Sequence, residues 1–147
     1  MFDLDRFVKA QDHITETVLG ELRAGRKQTQ WMWFIFPQLR GLGRSPAARH
    51  SGIKDLAEAR AYLEHAVLCS RLMECAEAVR TVSGRNLHEF LGSPDDMKLR
   101  SSMTLLPLAD ADTDVFRKAL EHHCDGRMDP ATLGLLGRTS PNGGEPK

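Results

Sequence analysis

Cysteine is scarce in this chain of 147 residues: Cys69, Cys75 and Cys124 form an odd set with no Cys-x-x-Cys spacing. That excludes a disulfide framework and predicts buried or half-buried thiols in a reducing, cytoplasmic setting. Net charge is missing as well. Twenty Lys and Arg balance twenty Asp and Glu, so the broad positive field of a nucleic-acid binder is absent and only a local patch stays open. No stretch approaches the roughly 20 apolar residues that span a bilayer, and the N-terminus has no secretory signal pattern. The fold is therefore expected to begin at once, with Met1-Phe2-Asp3 running into a helical pattern and no membrane contact. Runs of alternating β-branched residues are lacking too. Asp125-Gly126 and Asn142-Gly143 have no strand pattern around them, which removes the hairpin reading.

What remains is helical periodicity and its punctuation. Leu4, Phe7, Val8, Ile14, Val18 and Leu22 recur at a helical period behind Asp3, and Gly25 stands as a stop, so a long first helix is predicted over 3–24. Ser45-Pro46, Ser93-Pro94 and Asp129-Pro130 each offer a capping side chain before a proline at the first helical position. Asp55 with Glu58, and Asn86 with Glu89, read as capping boxes. With Gly52, Gly84, Gly92, Gly126 and Gly137 near the corresponding ends, the pattern predicts helices near 46–51, 56–64, 66–83, 87–91, 94–106, 113–124 and 130–136. Leu68, Leu72, Cys75, Val79 and Val82 form the inward stripe of the longest. The expected architecture is a compact, single-domain, all-α array of about seven or eight helices over 1–137. The stretch 138–147 has no apolar anchor and is expected to be disordered.

One stretch organises the rest. Trp31-Met32-Trp33-Phe34-Ile35-Phe36-Pro37 holds both tryptophans and two of the six phenylalanines. Aromatic side chains carry a large hydrophobic payload, so most of this run must be buried. A short buried helix and a buried strand are both open for 31–36, and Pro37 ends the element either way. Arg26 and Lys27 precede it, Arg40, Arg44 and Arg49 follow, and Gly41-Leu42-Gly43 makes a turn.

Two blocks, Gly25-Arg26-Lys27 with Trp31 to Gly43, and Gly92-Ser93-Pro94-Asp95-Asp96-Met97-Lys98-Leu99-Arg100-Ser101-Ser102-Met103-Thr104-Leu105, resemble a bacterial family known only as domain of unknown function number eighteen-ten. The resemblance runs from about Phe2 to Leu136. It implies a compact helical domain without an assigned activity. Some members carry a calpastatin label, but calpain inhibitors of that name are long, disordered and repetitive, unlike this chain. The family pattern has a histidine where this chain has Gln30, a tyrosine at Ser51 and a His-Pro pair at His65-Ala66. Their absence favours a role carried by other residues, or none, in this copy.

Lys98, Arg100, Ser101, Ser102 and Thr104 are unusual for a helix, because hydroxyl side chains compete with the backbone hydrogen bonds. They read either as small residues at a helix crossing or as a polar wall. Arg26, Lys27, Trp31, Trp33 and Arg44 on one side, with Lys98, Arg100, Ser101 and Ser102 on the other, are the candidate ligand-binding residues. Together they predict a cleft for an anionic small molecule, a nucleotide or sugar phosphate, between 31–43 and 94–106. The competing reading is a protein-interaction or structural module without catalytic activity. His65 with Cys69, and His122-His123-Cys124, fall short of a four-ligand pattern, so no metal is expected. No cofactor motif, Gly-x-Ser-x-Gly elbow or His-Glu-x-x-His is present. The pattern assigns no catalytic residue.

Overall fold

The structure, a computed structural model, describes residues 3–29, 31–42, 52–82, 84, 86–110 and 113–137, apart from the side chains of Trp33 and Phe34. The expected helix at 46–51 with its Ser45-Pro46 start, Gln30, Arg44, Arg49, Ser51 and the tail 138–147 lie outside the described residues. In order come α1 (Asp5–Gln11), α2 (Thr15–Ala24), α3 (Met32–Ile35), a 3-10 turn (Arg40–Leu42), α4 (Leu56–Glu64), α5 (Ala66–Thr81), α6 (Leu87–Leu91), α7 (Asp95–Ala109), α8 (Val115–Cys124) and α9 (Pro130–Leu135). The protein is all-α. Among the described residues the sole β feature is one parallel bridge between Leu39 and Ile53.

Two long helices, α5 and α7, form the frame, and α4 and α8 each pack on both. α2 covers α5, while α3, α6 and α9 lie against α7. The stripe Leu68, Leu72, Cys75, Val79 and Val82 is buried as expected, and Leu99, Met103, Leu105 and Leu106 of α7 join the same core. The aromatic block resolves as the short helix α3, ended at Phe36 before Pro37.

The single helix expected over 3–24 is two helices. Asp12, His13 and Ile14 break it, Thr15 Oγ1 donates to the Gln11 carbonyl, and Arg71 of α5 holds both Gln11 and Asp12. Gln11 is itself buried against the Tyr62 hydroxyl. A polar residue at an inward position thus bends the chain through partners 50 to 60 residues away. Ser93 is likewise not a cap: its peptide bond to Pro94 is cis, and α7 starts at Asp95 without a side-chain cap. α7 also runs past the expected end at 106 to Ala109, because a proline at 107 costs one backbone donor in the last turn only.

Other sequence signals hold. Asp55 accepts from Glu58 N at 2.9 Å, Asn86 and Glu89 close a reciprocal capping box, and Asp129 accepts from Ala131 N and Thr132 N. Gly25, Gly84, Gly92, Gly126 and Gly137 all have positive φ. Gly52 serves a different purpose from a helix stop. An added Cβ there would lie 2.2 Å from Arg40 Cα, so the two backbones approach as only glycine permits.

Candidate functional site

The loop that enters the aromatic block is built around Glu21 of α2. Its carboxylate accepts from Gln28 N (2.8 Å), Thr29 N (3.2 Å), Thr29 Oγ1 (2.8 Å) and Trp31 Nε1 (2.8 Å). Partial burial pushes this carboxyl up, but the four hydrogen bonds outweigh it and hold the acid below its ordinary value. Trp31 is fully buried, with Lys27 Nζ 5.3 Å from its ring centre. Lys27 in turn reaches Asp95 of α7 at 2.8 Å, both side chains being nearly buried, and Lys98 lies 3.6 Å from the same carboxylate. The two blocks therefore meet through charges that satisfy one another. Arg26 is exposed.

The hydroxyl-rich part of α7 faces α9. Ser101 Oγ donates to Asp129 Oδ2 at 2.7 Å, and Thr104 Oγ1 accepts from Asp129 N at 2.8 Å. Thr132 Oγ1 donates to the same carboxylate oxygen at 2.6 Å. Ser101 and Thr104 thus hold the residue that caps α9. Ser102 is fully buried, and its Oγ has no hydrogen-bond partner among the described residues.

Arg100 points elsewhere, toward the turn between α8 and α9. Its Nε donates to Arg127 O (2.8 Å) and its Nη2 to Met128 O (2.7 Å). It borders a cleft of about 290 Å³ whose other polar residues are Asp96, His123, Cys124, Asp125 and Arg127, over Leu87 and Met97. Neither Arg100 nor Arg127 makes a salt bridge among the described residues. Asp125 sits in the left-handed region at φ 55° as the C-cap of α8, an uncommon conformation for a non-glycine residue.

Two histidines tie this cleft to α5. His122 Nε2 donates to Val82 O at 2.9 Å and His123 Nε2 to Val79 O at 2.6 Å, satisfying carbonyls at the end of that helix. Burial pushes the His123 imidazole below its ordinary value, against the Val79 hydrogen bond and with a smaller push from His122. Burial pushes the Cys124 thiol up to about 11, with Asp125 and Asp96 acting in the same sense and Arg100 opposing. A thiol held there stays protonated at neutral pH and is no nucleophile. Among the described residues no group of three His, Cys, Asp or Glu side chains is placed to hold a metal ion. His65 instead caps α5, its Nδ1 accepting from Leu68 N at 3.3 Å.

A family model described as "Protein of unknown function (DUF1810)" matches residues 1–136. The chain belongs to that family. This DUF1810 member is also similar to the conserved hypothetical protein Rv1873 from Mycobacterium tuberculosis, known from a crystal structure. The TM-score is 0.91 at 51% identity, covering 94% of this chain and 99% of that one. A search of curated proteins gives no match.

Of the candidate residues in this DUF1810 chain, Lys27, Trp31 and Lys98 come together around Asp95, Ser101 joins Asp129, and Arg100 alone lines the cleft. Asp96, Asp125 and Arg127 were missed by sequence reasoning. The one local signal was Asp125-Gly126 behind a helix, a turn whose left-handed residues turn Arg127 back toward α7.

Proposed function

We propose that this protein binds a small anionic molecule, such as a nucleotide or sugar phosphate, in the cleft between α7 and the turn joining α8 to α9. The observation that carries this reading is the pair of guanidinium groups, Arg100 and Arg127, lining one cleft with no ion-pair partner among the described residues. Arg100 is fixed by two carbonyls, which orient its fork without neutralising its charge. A pre-oriented guanidinium suits a phosphate or carboxylate group. Three free thiols support a reducing, cytoplasmic setting. No helix among the described residues is long and apolar enough to cross a membrane.

The test is calorimetric titration of the purified chain with inorganic phosphate and a panel of nucleotides and sugar phosphates, alongside melting curves. Arg127→Gln is the informative variant, because the Arg127 side chain makes no salt bridge among the described residues. Loss of one charge-assisted contact is expected to weaken binding by about 1.5–3 kcal/mol, roughly ten- to a hundred-fold, with the melting temperature of the free protein unchanged. Binding unaltered by Arg127→Gln would overturn the reading.

A further inference from the structure

We infer that this cleft selects oxyanions that bring a hydrogen-bond donor of their own, hydrogen phosphate and hydroxyl-bearing phosphate esters, over fully deprotonated oxyanions such as sulfate. The inference rests on the anion-binding reading above and concerns the same cleft.

The reason lies in which atoms can give and which can only receive. Donors come from Arg100, whose Nη1 is left after its bonds to Arg127 O and Met128 O, and from Arg127. The acceptors are as firmly set. Val79 O is a carbonyl and can only accept, so His123 Nε2, 2.6 Å away, carries the ring proton. In the neutral imidazole Nδ1 is then a bare lone pair, and it has no partner among the described residues. Burial keeps this ring neutral at physiological pH. Asp96 receives Met97 N at 2.8 Å on one oxygen and has His88 Nδ1 at 3.4 Å from the other. The Asp125 carboxylate has no hydrogen-bond or salt-bridge partner among the described residues, its backbone N–H alone bonding to Leu120 O.

An anion drawn in by the two arginines therefore also faces carboxylates and an imidazole lone pair. Sulfate at neutral pH offers nothing but lone pairs, so every contact on that side is repulsive and leaves the half-buried acceptors Asp96 and His123 without a donor. Hydrogen phosphate has similar size and charge but keeps a P–OH proton. That proton turns one repulsive contact into a hydrogen bond. Because the two ions differ in little else, their affinity ratio reports the acceptor side of the cleft.

The experiment titrates the full chain with inorganic phosphate and, separately, sodium sulfate at about pH 7.5, where the imidazole is neutral and phosphate is mainly the hydrogen dianion. Calorimetry gives the affinities, and nitrogen NMR of the imidazoles follows His123 Nδ1. Phosphate is expected to bind roughly ten-fold or more tightly than sulfate, and to shift the Nδ1 resonance as a lone pair that accepts a proton donor does. Asp125→Asn, which exchanges an acceptor for an amide donor, is expected to narrow the ratio by strengthening sulfate. Equal affinities with a silent Nδ1 would overturn this inference and leave anion binding standing. Binding of neither ion would overturn both.

Discussion

Glu21 is the residue on which the loop 26–31 depends. Its four hydrogen bonds tie backbone, hydroxyl and indole donors to one carboxylate, and Trp31 Nε1 belongs to a fully buried ring. Glu21→Gln keeps the shape but removes the charge and turns half of the acceptor into a donor, so about 1–3 kcal/mol of stability is expected to go. The folded-state pKa of Glu21 is lowered from 4.5, so its contribution is present above that value and is lost as pH falls through the lower folded value. Urea denaturation at neutral and acid pH checks this: the gap between wild type and Glu21→Gln should shrink toward the acid end. A gap independent of pH would mean that charge is not the cause. Ser102 predicts the opposite sign. Its hydroxyl is buried and unpartnered, so Ser102→Ala removes an unsatisfied group, and stability is expected to stay level or rise by up to about 1 kcal/mol. A loss larger than that in the same denaturation assay would reveal a partner for the hydroxyl.

At the scale of elements, α9 is a short helix whose place is fixed at its first residue. Asp129 caps it, receives Ser101 and Thr132 hydroxyls, and donates its own N–H to Thr104. Asp129→Ala removes a cap and strands two hydroxyl donors, so a cost of about 2–3 kcal/mol is expected, above that of a simple cap. Amide exchange should rise over α9 and the 3-10 turn it touches before it rises over α5, and uniform acceleration would contradict local docking. Gly52 constrains a different junction. Its Cβ position is filled by Arg40 backbone, and its carbonyl accepts from Arg6 and Arg40 side chains. Gly52→Ala must push these chains apart, and a drop in melting temperature well beyond that of an ordinary surface change is expected. A melting temperature within a degree or so of wild type would show that the contact can relax.

Across the whole molecule, Lys27 and Asp95 join the segment after α2 to the start of α7, and the pair is almost out of water. Removing one partner leaves the other buried and uncompensated, so Asp95→Asn is expected to cost about 3–5 kcal/mol, with Lys98 losing the same partner at a half-buried site in the same step. Thermal unfolding of Asp95→Asn beside the double variant Lys27→Met/Asp95→Asn separates the causes: if the variant lacking both charges is much less harmful, the cost is the stranded charge.

The sequence by itself determined most of the helices, because their signals are local. Periodic leucines, the capping residues Asp55, Asn86 and Asp129, and the glycine stop at 25 act within a turn or two of where they stand. It also showed that Ser101, Ser102 and Thr104 had to serve something other than a plain helix. Tertiary structure alone decided what. The break at 12–14 depends on Arg71, the use of Gly52 on Arg40, and the grouping of Arg100 and Arg127 on a left-handed turn that brings residues 27 apart into one cleft. Each is a contact between distant segments, set by which surfaces pack and which buried polar atoms must find partners. Local propensity cannot encode that choice.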